Sequence, residues 1–174
     1  MENNMPKPSP VSPFWFMNKI ANPLVRLILK SPLHGWLSRS ILLITYYGRK
    51  SGRKYTLPVQ YAPSADTLYI IPGASGQKTW WRNLRGGASI QVLMEGQLKQ
   101  AQAQVLTGAA DCDEIARALK VFVERFPAAT RLHSIQVKPD GSLDESDLYR
   151  AAASVVVVRV RPQETGHPGA DIQV

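Results

Sequence analysis

The sequence predicts a mainly β domain, in which an antiparallel sheet curls into a small barrel and helices lie beside it. Short β-branched and aromatic segments follow one another closely and are separated by turns that contain glycine, proline and serine, as in small antiparallel barrels. A regular alternation of strands and helices is absent, and this disfavours a doubly wound parallel sheet. The 174 residues are enough for one such domain, because a chain of this size buries roughly 70% of its unfolded surface.

The segment before the first strand is expected to hold a tail and a helix. Residues 1–13 are rich in proline and poor in apolar side chains, which indicates a flexible tail. Residues 14–36 carry apolar side chains three and four positions apart, which predicts an amphipathic helix. Its charges are all basic, so two roles stay open. The helix packs against its own domain, which is the commoner use of such a stripe, or it lies on an anionic membrane surface.

Three strands and a short helix are expected next. Residues 41–47, 55–61 and 67–71 are apolar, β-branched and aromatic, a composition typical of strands. Pro58 weakens the second strand locally, because proline cannot donate a hydrogen bond to a neighbouring strand. Residues 79–84 are predicted to form a short helix.

The second half of the domain is expected to contain a hairpin, a helix and a last strand. Residues 89–95 and 98–106 alternate around a Gly96-Gln97 turn, which predicts a β-hairpin. Residues 111–126 have helical periodicity, and the following proline ends the helix. The acidic residues at 144, 145 and 147 are interpreted as a solvated loop. Residues 153–160 form the last strand, buried on both faces at its centre. The domain then spans residues 14–162, and residues 163–174 form a polar tail.

Charge and cysteine content limit the functional classes. The net charge is +8 and the pI about 9.8, which favours an anionic partner: nucleic acid, a membrane surface or an acidic small molecule. Cys112 is the single cysteine and the three histidines are scattered, so no metal site is expected. We expect a cytoplasmic protein, because the N-terminus lacks the pattern of a signal peptide and no apolar run reaches the length of a membrane span.

The most distinctive motif is the basic turn GRKSGRK, residues 48–54. Glycines let the backbone approach a ligand closely, and the cations neutralise phosphate or carboxylate groups. The alternative is a solvated basic hairpin tip. The spacing does not match a nucleotide-binding P-loop.

Two further segments could contact a ligand. Residues 72–78 form a loop of small residues that ends in Lys78, which allows close approach of the backbone. In the short helix, adjacent tryptophans point to different sides, so one can be core while the other lines a cavity. Asn83 can hydrogen-bond a ligand carbonyl or act as a helix cap.

These three segments together resemble the deazaflavin-dependent nitroreductase family, whose members are also described as quinone reductases. The resemblance covers YYGRKSGRKYTLPVQY and LYIIPGASGQKTWWRNLRGG and is good over roughly residues 40–106. It implies a split β-barrel of the FMN-binding type and the deazaflavin coenzyme F420, which carries a phosphate and an oligoglutamate tail. FMN is the alternative cofactor, since related barrels bind it.

The resemblance assigns roles to specific residues. Arg49, Lys50 and Ser51 match the turn that binds the coenzyme's tail and phosphate, with Arg53 and Lys54 as further cations. Strand positions beside the coenzyme's ring are matched by Pro58 and Gln60. The loop that contacts the ring and phosphate regions is matched by Ala74, Ser75, Gly76 and Lys78. The short helix that closes the site is matched by Trp80, Trp81, Asn83 and Leu84.

The implied chemistry is hydride transfer to a quinone, a nitro compound or an enoate. Ser75 and Tyr61 are the candidates for orienting or protonating this small acceptor. Several family members carry tyrosines after the long helix, whereas this chain has no aromatic residue between Phe126 and Tyr149, so the acceptor side of the resemblance is weaker than the cofactor side.

Of two other classes of function, one stays open and one is disfavoured. A barrel that binds a lipid or a cofactor without turnover stays open, with peripheral membrane contact through residues 14–36. Nucleic-acid binding is disfavoured, because the cations concentrate in one tight turn and the tryptophan pair lacks interleaved basic residues. The oligomeric state is not predicted.

Overall fold

A computed structural model describes residues 40–73 and 75–163. The expected tail, the expected amphipathic helix of residues 14–36, Ala74 and the C-terminal tail from residue 164 therefore lie outside the described residues. Seven strands form one antiparallel sheet in the order β2-β1-β5-β6-β7-β4-β3. The strands are β1 (Ile41–Tyr47), β2 (Lys54–Gln60), β3 (Ala62–Ser64), β4 (Thr67–Ile70), β5 (Ala88–Met94), β6 (Gln97–Leu106) and β7 (Val157–Pro162).

Within residues 40–73 and 75–163, three α-helices and two 3₁₀ helices accompany the sheet. The α-helices are α1 (Cys112–Arg125), α2 (Ala128–Leu132) and α3 (Glu145–Ala152). The 3₁₀ helices are Trp80–Leu84, between β4 and β5, and Ala109–Asp111, before α1. The mainly β fold with flanking helices that the sequence predicts is confirmed.

The connection between β2 and β3 shows that the sheet is curled. These two strands lie at opposite ends of the strand order, yet Tyr61 is the one residue that separates them in the chain. A single residue cannot span a flat seven-stranded sheet, in which neighbouring strands are about 4.8 Å apart. The sheet therefore has to curl until the end of β2 meets the start of β3, which gives a half-barrel.

Turn chemistry sets the strand registers. Met94 pairs with Gln97, so the β5–β6 turn consists of Glu95 and Gly96. Both have positive φ, 51° and 77°, as in the two-residue hairpin turns that match the twist of the strands. The turn therefore lies one residue earlier than Gly96-Gln97. Pro58 lies in β2, which pairs only with β1 among the described strands. An edge strand is where proline is tolerated.

Two hydrophobic cores lie on the two faces of the sheet. The inner core fills the barrel and includes the 3₁₀ residues Trp81 and Leu84. The outer core lies between the sheet and the helices α1 and α3. In β7, Val158 packs into the barrel while the adjacent Val157 packs against the helices, and neither is exposed. The expected burial of this strand on both faces is confirmed.

An ion pair ties α1 to the outer face of the sheet. Arg159 of β7 donates to both carboxylate oxygens of Glu114 in α1, at 2.6 and 2.7 Å, and also donates to Gln104 of β6. Both charged side chains are mostly buried. One guanidinium nitrogen thereby contacts both carboxylate oxygens, and charge-assisted hydrogen bonds of this kind are stronger than neutral ones.

The segment before β7 differs from the expectation. Residues 145–152 form α3, and β7 begins at Val157 instead of residue 153. The Asp144 side chain caps this helix by accepting a hydrogen bond from the backbone N–H of Asp147 at 3.0 Å. Asp147 is itself buried, where it accepts from the Gln136 N–H and pairs with Arg150. The interpretation of these acidic residues as a solvated loop was wrong.

The short helix α2 was also missed. Pro127 follows the end of α1, as expected, but a second helix begins directly after it at Ala128. Proline has no N–H and a fixed φ, so it fits the start of a helix as well as it ends one.

Candidate functional site

The basic turn between β1 and β2 is held closed by its own backbone. Gly48 N–H donates to the Arg53 carbonyl at 2.9 Å, and Gly52 N–H donates to the Gly48 carbonyl at 2.8 Å. Gly52 has φ of +63°, which glycine adopts without strain. A Cβ at Gly48 would lie 2.6 Å from the Ser51 hydroxyl and 2.8 Å from the Tyr55 ring. The turn therefore needs glycine at both positions to keep this shape.

Arg49 joins the basic turn to the 3₁₀ helix. Its backbone N–H donates to the Asn83 side-chain oxygen at 3.0 Å, and its Nε donates to the Asn83 carbonyl at 3.0 Å. A terminal nitrogen of its guanidinium group donates to the Arg85 carbonyl. These groups are 34 and 36 residues away in the chain. Arg49, expected to bind a ligand's tail, is thus also a clamp between two segments of the protein.

The 3₁₀ helix is joined in turn to the small-residue loop. The Trp81 indole N–H donates to the Ser75 carbonyl at 3.1 Å. Asn83 donates from its side-chain amide to the Trp80 carbonyl at 2.9 Å, so both ends of this amide are engaged within the protein. The structure therefore brings together the three segments that the sequence singled out: the basic turn, the loop of residues 72–78 and the short helix.

The two tryptophans have different surroundings. Trp81 is 4% exposed and, with fully buried Leu84, belongs to the barrel core. Trp80 is half-buried at the edge of the same core, with its ring 6.2 Å from that of Tyr46. The expectation that one tryptophan is core while its neighbour is more open is therefore met, and Trp80 is the one that can face a ligand.

Two tyrosines that the sequence reasoning missed extend this aromatic surface. Tyr46 and Tyr55 are direct cross-strand partners on β1 and β2, and their rings stack at 5.6 Å. Tyr55 is 42% exposed, and its hydroxyl lies 3.3 Å from that of Ser51 in the basic turn. Burial raises the pKa of Tyr46, with a further contribution from Tyr55. The alternation of β1 and β2 around the turn was the signal that could have placed this pair.

Positive charge at this site has little compensation nearby. Between residues 40 and 94 the sequence contains a single acidic residue, Asp66, which lies 4.0 Å from Arg161. Among the described residues, the ion pairs involve none of the cations of this region. Those cations are Arg49, Lys50, Arg53, Lys54, Lys78, Arg82 and Arg85. An anionic ligand is therefore the natural counter-charge.

Other expected site residues lie along β2. Leu57 and Val59 pack against the barrel core and Tyr55 shares their face of β2, so Pro58 and Gln60 lie on the opposite face. At the rise of a β-strand, Gln60 is roughly 20 Å from the start of β2 beside the basic turn. The structure therefore places Pro58 and Gln60 away from the basic turn and on the other face of the strand from the Tyr46–Tyr55 stack.

The proposed proton donor Tyr61 follows at this far end of β2. Ala62 pairs with Tyr69, so Tyr61 lies where β4 ends and the loop of residues 72–78 is about to begin. It is buried, and the Arg125 guanidinium lies 5.7 Å from its ring centre. Burial raises the pKa of Tyr61, Glu95 raises it further, and Arg125 opposes this shift.

The loop of residues 72–78 connects the neighbourhood of Tyr61 to the 3₁₀ helix that carries the tryptophans. Gly76 and Lys78 are exposed and Ser75 is half-buried, whereas Ala74 lies outside the described residues. A Cβ at Gly76 would meet no atom within 4 Å, so there is open space beside this backbone. The loop thus runs from the neighbourhood of Tyr61 to the tryptophans, with room along it.

Two other observations bear on ligands and location. Residues 40–73 and 75–163 contain no group of three or more His, Cys, Asp or Glu side chains placed to hold a metal ion. In the same ranges no helix is both long enough and apolar enough to cross a bilayer. A separate cavity of about 490 Å³ lies in the helical layer between α1 and residues 137–148, away from the segments that form the candidate site.

Comparison with known proteins gives likeness in structure but not in sequence. No family model and no curated protein matches the chain. A solved structure described as an F420-H2-dependent reductase, FDR-A, matches with a TM-score of 0.50 and 19% identity, over 71% of this chain and 95% of the other. Another, described as a domain-swapped dimer, matches with a TM-score of 0.52 and 19% identity, over 86% of this chain and all of the other. The chain therefore has the fold of this reductase, as the sequence resemblance predicted.

Proposed function

We propose that this chain is an oxidoreductase that binds the deazaflavin coenzyme F420 and uses it to reduce a small organic acceptor. One observation carries the proposal: Arg49 fixes a cation-rich turn against the helix that bears Trp80 and Trp81. Cationic side chains are thereby held next to the half-buried Trp80. The likeness of the fold to an F420-H2-dependent reductase supports the same class.

The residues present fit such a coenzyme. Its phosphate and glutamate carboxylates need several cations, and Lys50 and Arg53 are exposed in the turn without an ion-pair partner among the described residues. Its planar ring needs an apolar or aromatic surface, and Trp80 with Tyr55 offers one. FMN, with one phosphate, would leave most of the seven cations of this region without a counter-charge.

When bound, the reduced coenzyme supplies two electrons as a hydride, and the acceptor takes up a further proton from the protein or from water. Tyr61 is suited to hold such a proton at its phenol oxygen. Burial and Glu95 raise its pKa, so the protonated phenol can donate a hydrogen bond to the acceptor at neutral pH, although the same shift makes it a weaker acid. The hydroxyl of Ser75 would orient the acceptor or the ring.

The first test is binding. The full chain is titrated with oxidised F420 and, in parallel, with FMN, and tryptophan fluorescence is followed. We expect tight binding of F420 and weak binding of FMN. The variant Lys50→Gln/Arg53→Gln should bind F420 more weakly, whereas Arg117→Gln/Arg131→Gln, an equal loss of charge on exposed positions of α1 and α2, should bind it as the wild type does.

The second test is turnover. Reduced F420 is mixed with the protein and a quinone, a nitro compound or an enoate, and its oxidation is followed by absorbance. Acceptor-dependent oxidation supports the enzyme. Preference for FMN would keep the redox class and overturn the cofactor. Binding of F420 without turnover of any acceptor would make the chain a cofactor-binding barrel, and failure to bind either cofactor would overturn the proposal.

A further inference from the structure

Arg82 and Arg85, which the sequence reasoning did not assign, are held against one aromatic ring. Their guanidinium carbons lie 5.6 and 4.8 Å from the centre of the Trp81 ring. Trp81 is almost fully buried, whereas both arginines are exposed. Cation–π contacts of this kind favour an ordered guanidinium group over a freely moving one. The two charges are thus positioned before any ligand arrives.

Arg49 brings a third guanidinium group to the backbone of this segment, because it donates to the main-chain carbonyl of Arg85. We call Arg49, Arg82 and Arg85 the arginine cluster. The charges of Arg82 and Arg85, which share one ring, lie within about one Debye length of each other at 0.1 M salt, so they repel one another.

No carboxylate among the described residues offsets this repulsion. The ion pairs of residues 40–73 and 75–163 use other cations. Two other arginines of the described residues have acidic partners: Arg159 pairs with Glu114 and Arg150 with Asp147. Arg82 and Arg85 have no such ion pair among the described residues, which points to a counter-charge from outside the chain.

We propose that the arginine cluster is a second anion site, which extends the one formed by Lys50 and Arg53 in the basic turn. It takes the carboxylates or phosphates at the far end of a ligand with several anionic groups in a row. Guanidinium groups suit this task, because each can hold a carboxylate or phosphate with two parallel hydrogen bonds. The identity of the ligand rests on the proposed function, but the site requires only an oligoanion.

The arginine cluster would therefore make the protein select ligands by their number of anionic groups. A ligand with one phosphate can be satisfied by the turn alone and leaves the cluster unused. A deazaflavin coenzyme with an oligoglutamate tail can use both places. The cluster would therefore increase affinity with each added glutamate, and salt would weaken this increase because the arginines are exposed.

The experiment compares two double variants of the full chain that lose the same charge. Arg82→Gln/Arg85→Gln removes the cluster's exposed pair, and Arg117→Gln/Arg131→Gln is the control. Binding of inorganic tripolyphosphate, FMN and F420 with short and long glutamate tails is measured at low and high salt. We expect the cluster variant to lose about tenfold in affinity for tripolyphosphate and long-tailed F420 at low salt. The control should change by less than about twofold.

A third variant guards against loss of folding. Arg82→Lys/Arg85→Lys keeps the charge and loses the paired hydrogen bonds, so it should bind with intermediate affinity and melt as the wild type does. The outcomes separate the two proposals. Cluster-dependent binding of tripolyphosphate without binding of F420 would overturn the function and keep the site. Equal binding of long-tailed F420 by the cluster variant and the control would overturn the site and leave the function standing.

Discussion

Two arginines of the basic turn have different structural roles. Arg49 and Arg53 lie in one turn and both were expected to bind an anion. The structure gives Arg49 three hydrogen bonds to the segment around Asn83 and Arg85, while the hydrogen bonds of Arg53 among the described residues use its backbone. The sequence could not separate them, because the partners of Arg49 lie more than 30 residues away and nothing in a local motif records such a contact.

His133 leads to a prediction about pH at the residue scale. It is half-buried at the C-terminal end of α2, and burial lowers its pKa below the ordinary 6.5. As the pH falls through 6.5, the unfolded chain takes up this proton before the folded protein does. Acid therefore favours the unfolded state, and stability from this residue is present above pH 6.5 and lost below it.

The measurement is the melting temperature as a function of pH. We expect the melting temperature of the wild type to fall further between about pH 8 and pH 5.5 than that of His133→Gln, whose side chain does not titrate. Asp140 and Asp144 do not interfere, because their pKa values lie below the ordinary 3.8 and they titrate in stronger acid. Parallel profiles of the two proteins would show that His133 does not contribute.

At the scale of elements, prediction succeeded where the pattern was local. β1 was placed at its observed bounds, and β2, β4, β5, β6 and α1 within one residue at each end. α3 was missed because its capping residue Asp144 and its buried Asp147 are acidic, and acidic residues next to Gly141 resemble a loop. The buried role of Asp147 depends on Gln136 and Arg150, and only the folded chain shows these partners.

In the candidate site, too, local patterns were predicted and contacts between distant segments were not. The turn, the loop and the short helix were each recognised from local motifs, and the structure joins them through Arg49 and Trp81. The arginines beside Trp81 and the Tyr46–Tyr55 stack were missed. Both depend on which face of an element a side chain occupies, and a motif read as a string of letters does not give this.

The clamp between the turn and the 3₁₀ helix can be tested by Arg49→Lys. Lysine keeps the charge but has one donor group on a flexible chain, so it cannot replace both side-chain contacts to Asn83 and Arg85. We expect a loss of about 1 kcal/mol in the free energy of unfolding and weaker binding of F420. Denaturant unfolding and the fluorescence titration measure these two effects.

Arg53→Lys is the matched control for this clamp. It makes the same chemical change in the same turn, where the Arg53 side chain is exposed and its backbone N–H, which the variant keeps, donates to Ser51. Stability should stay within about 0.5 kcal/mol of the wild type. Equal effects of the two variants would show that the contacts of Arg49 do not hold the segments together.

At the scale of the whole molecule, the two cores share strand β7. Val157 belongs to the outer core and Val158 to the inner one, and one backbone carries both. We therefore expect one cooperative unfolding transition. Val157→Ala and Val158→Ala should each lower the free energy of unfolding by about 2 kcal/mol.

Two probes check this cooperativity. Far-ultraviolet circular dichroism at the helix band follows α1 to α3. Among the described residues the tryptophans are Trp80 and Trp81, so tryptophan fluorescence follows the barrel. Each variant should shift both transitions equally. A variant that shifts only the probe on its own side of the sheet would show that the helical layer and the barrel unfold separately.

The one-residue link at Tyr61 also bears on how the chain folds. The β1–β2 and β3–β4 hairpins form from neighbouring segments, but β4 reaches its place in the sheet only when Leu68 pairs with Val160. That pairing closes a loop that contains most of the domain. The entropy of closing this loop is lost before the contacts that offset it have formed. We expect the β4–β7 ladder to form late and the chain to fold in milliseconds to seconds. Until then the two hairpins on either side of Tyr61 are independent units.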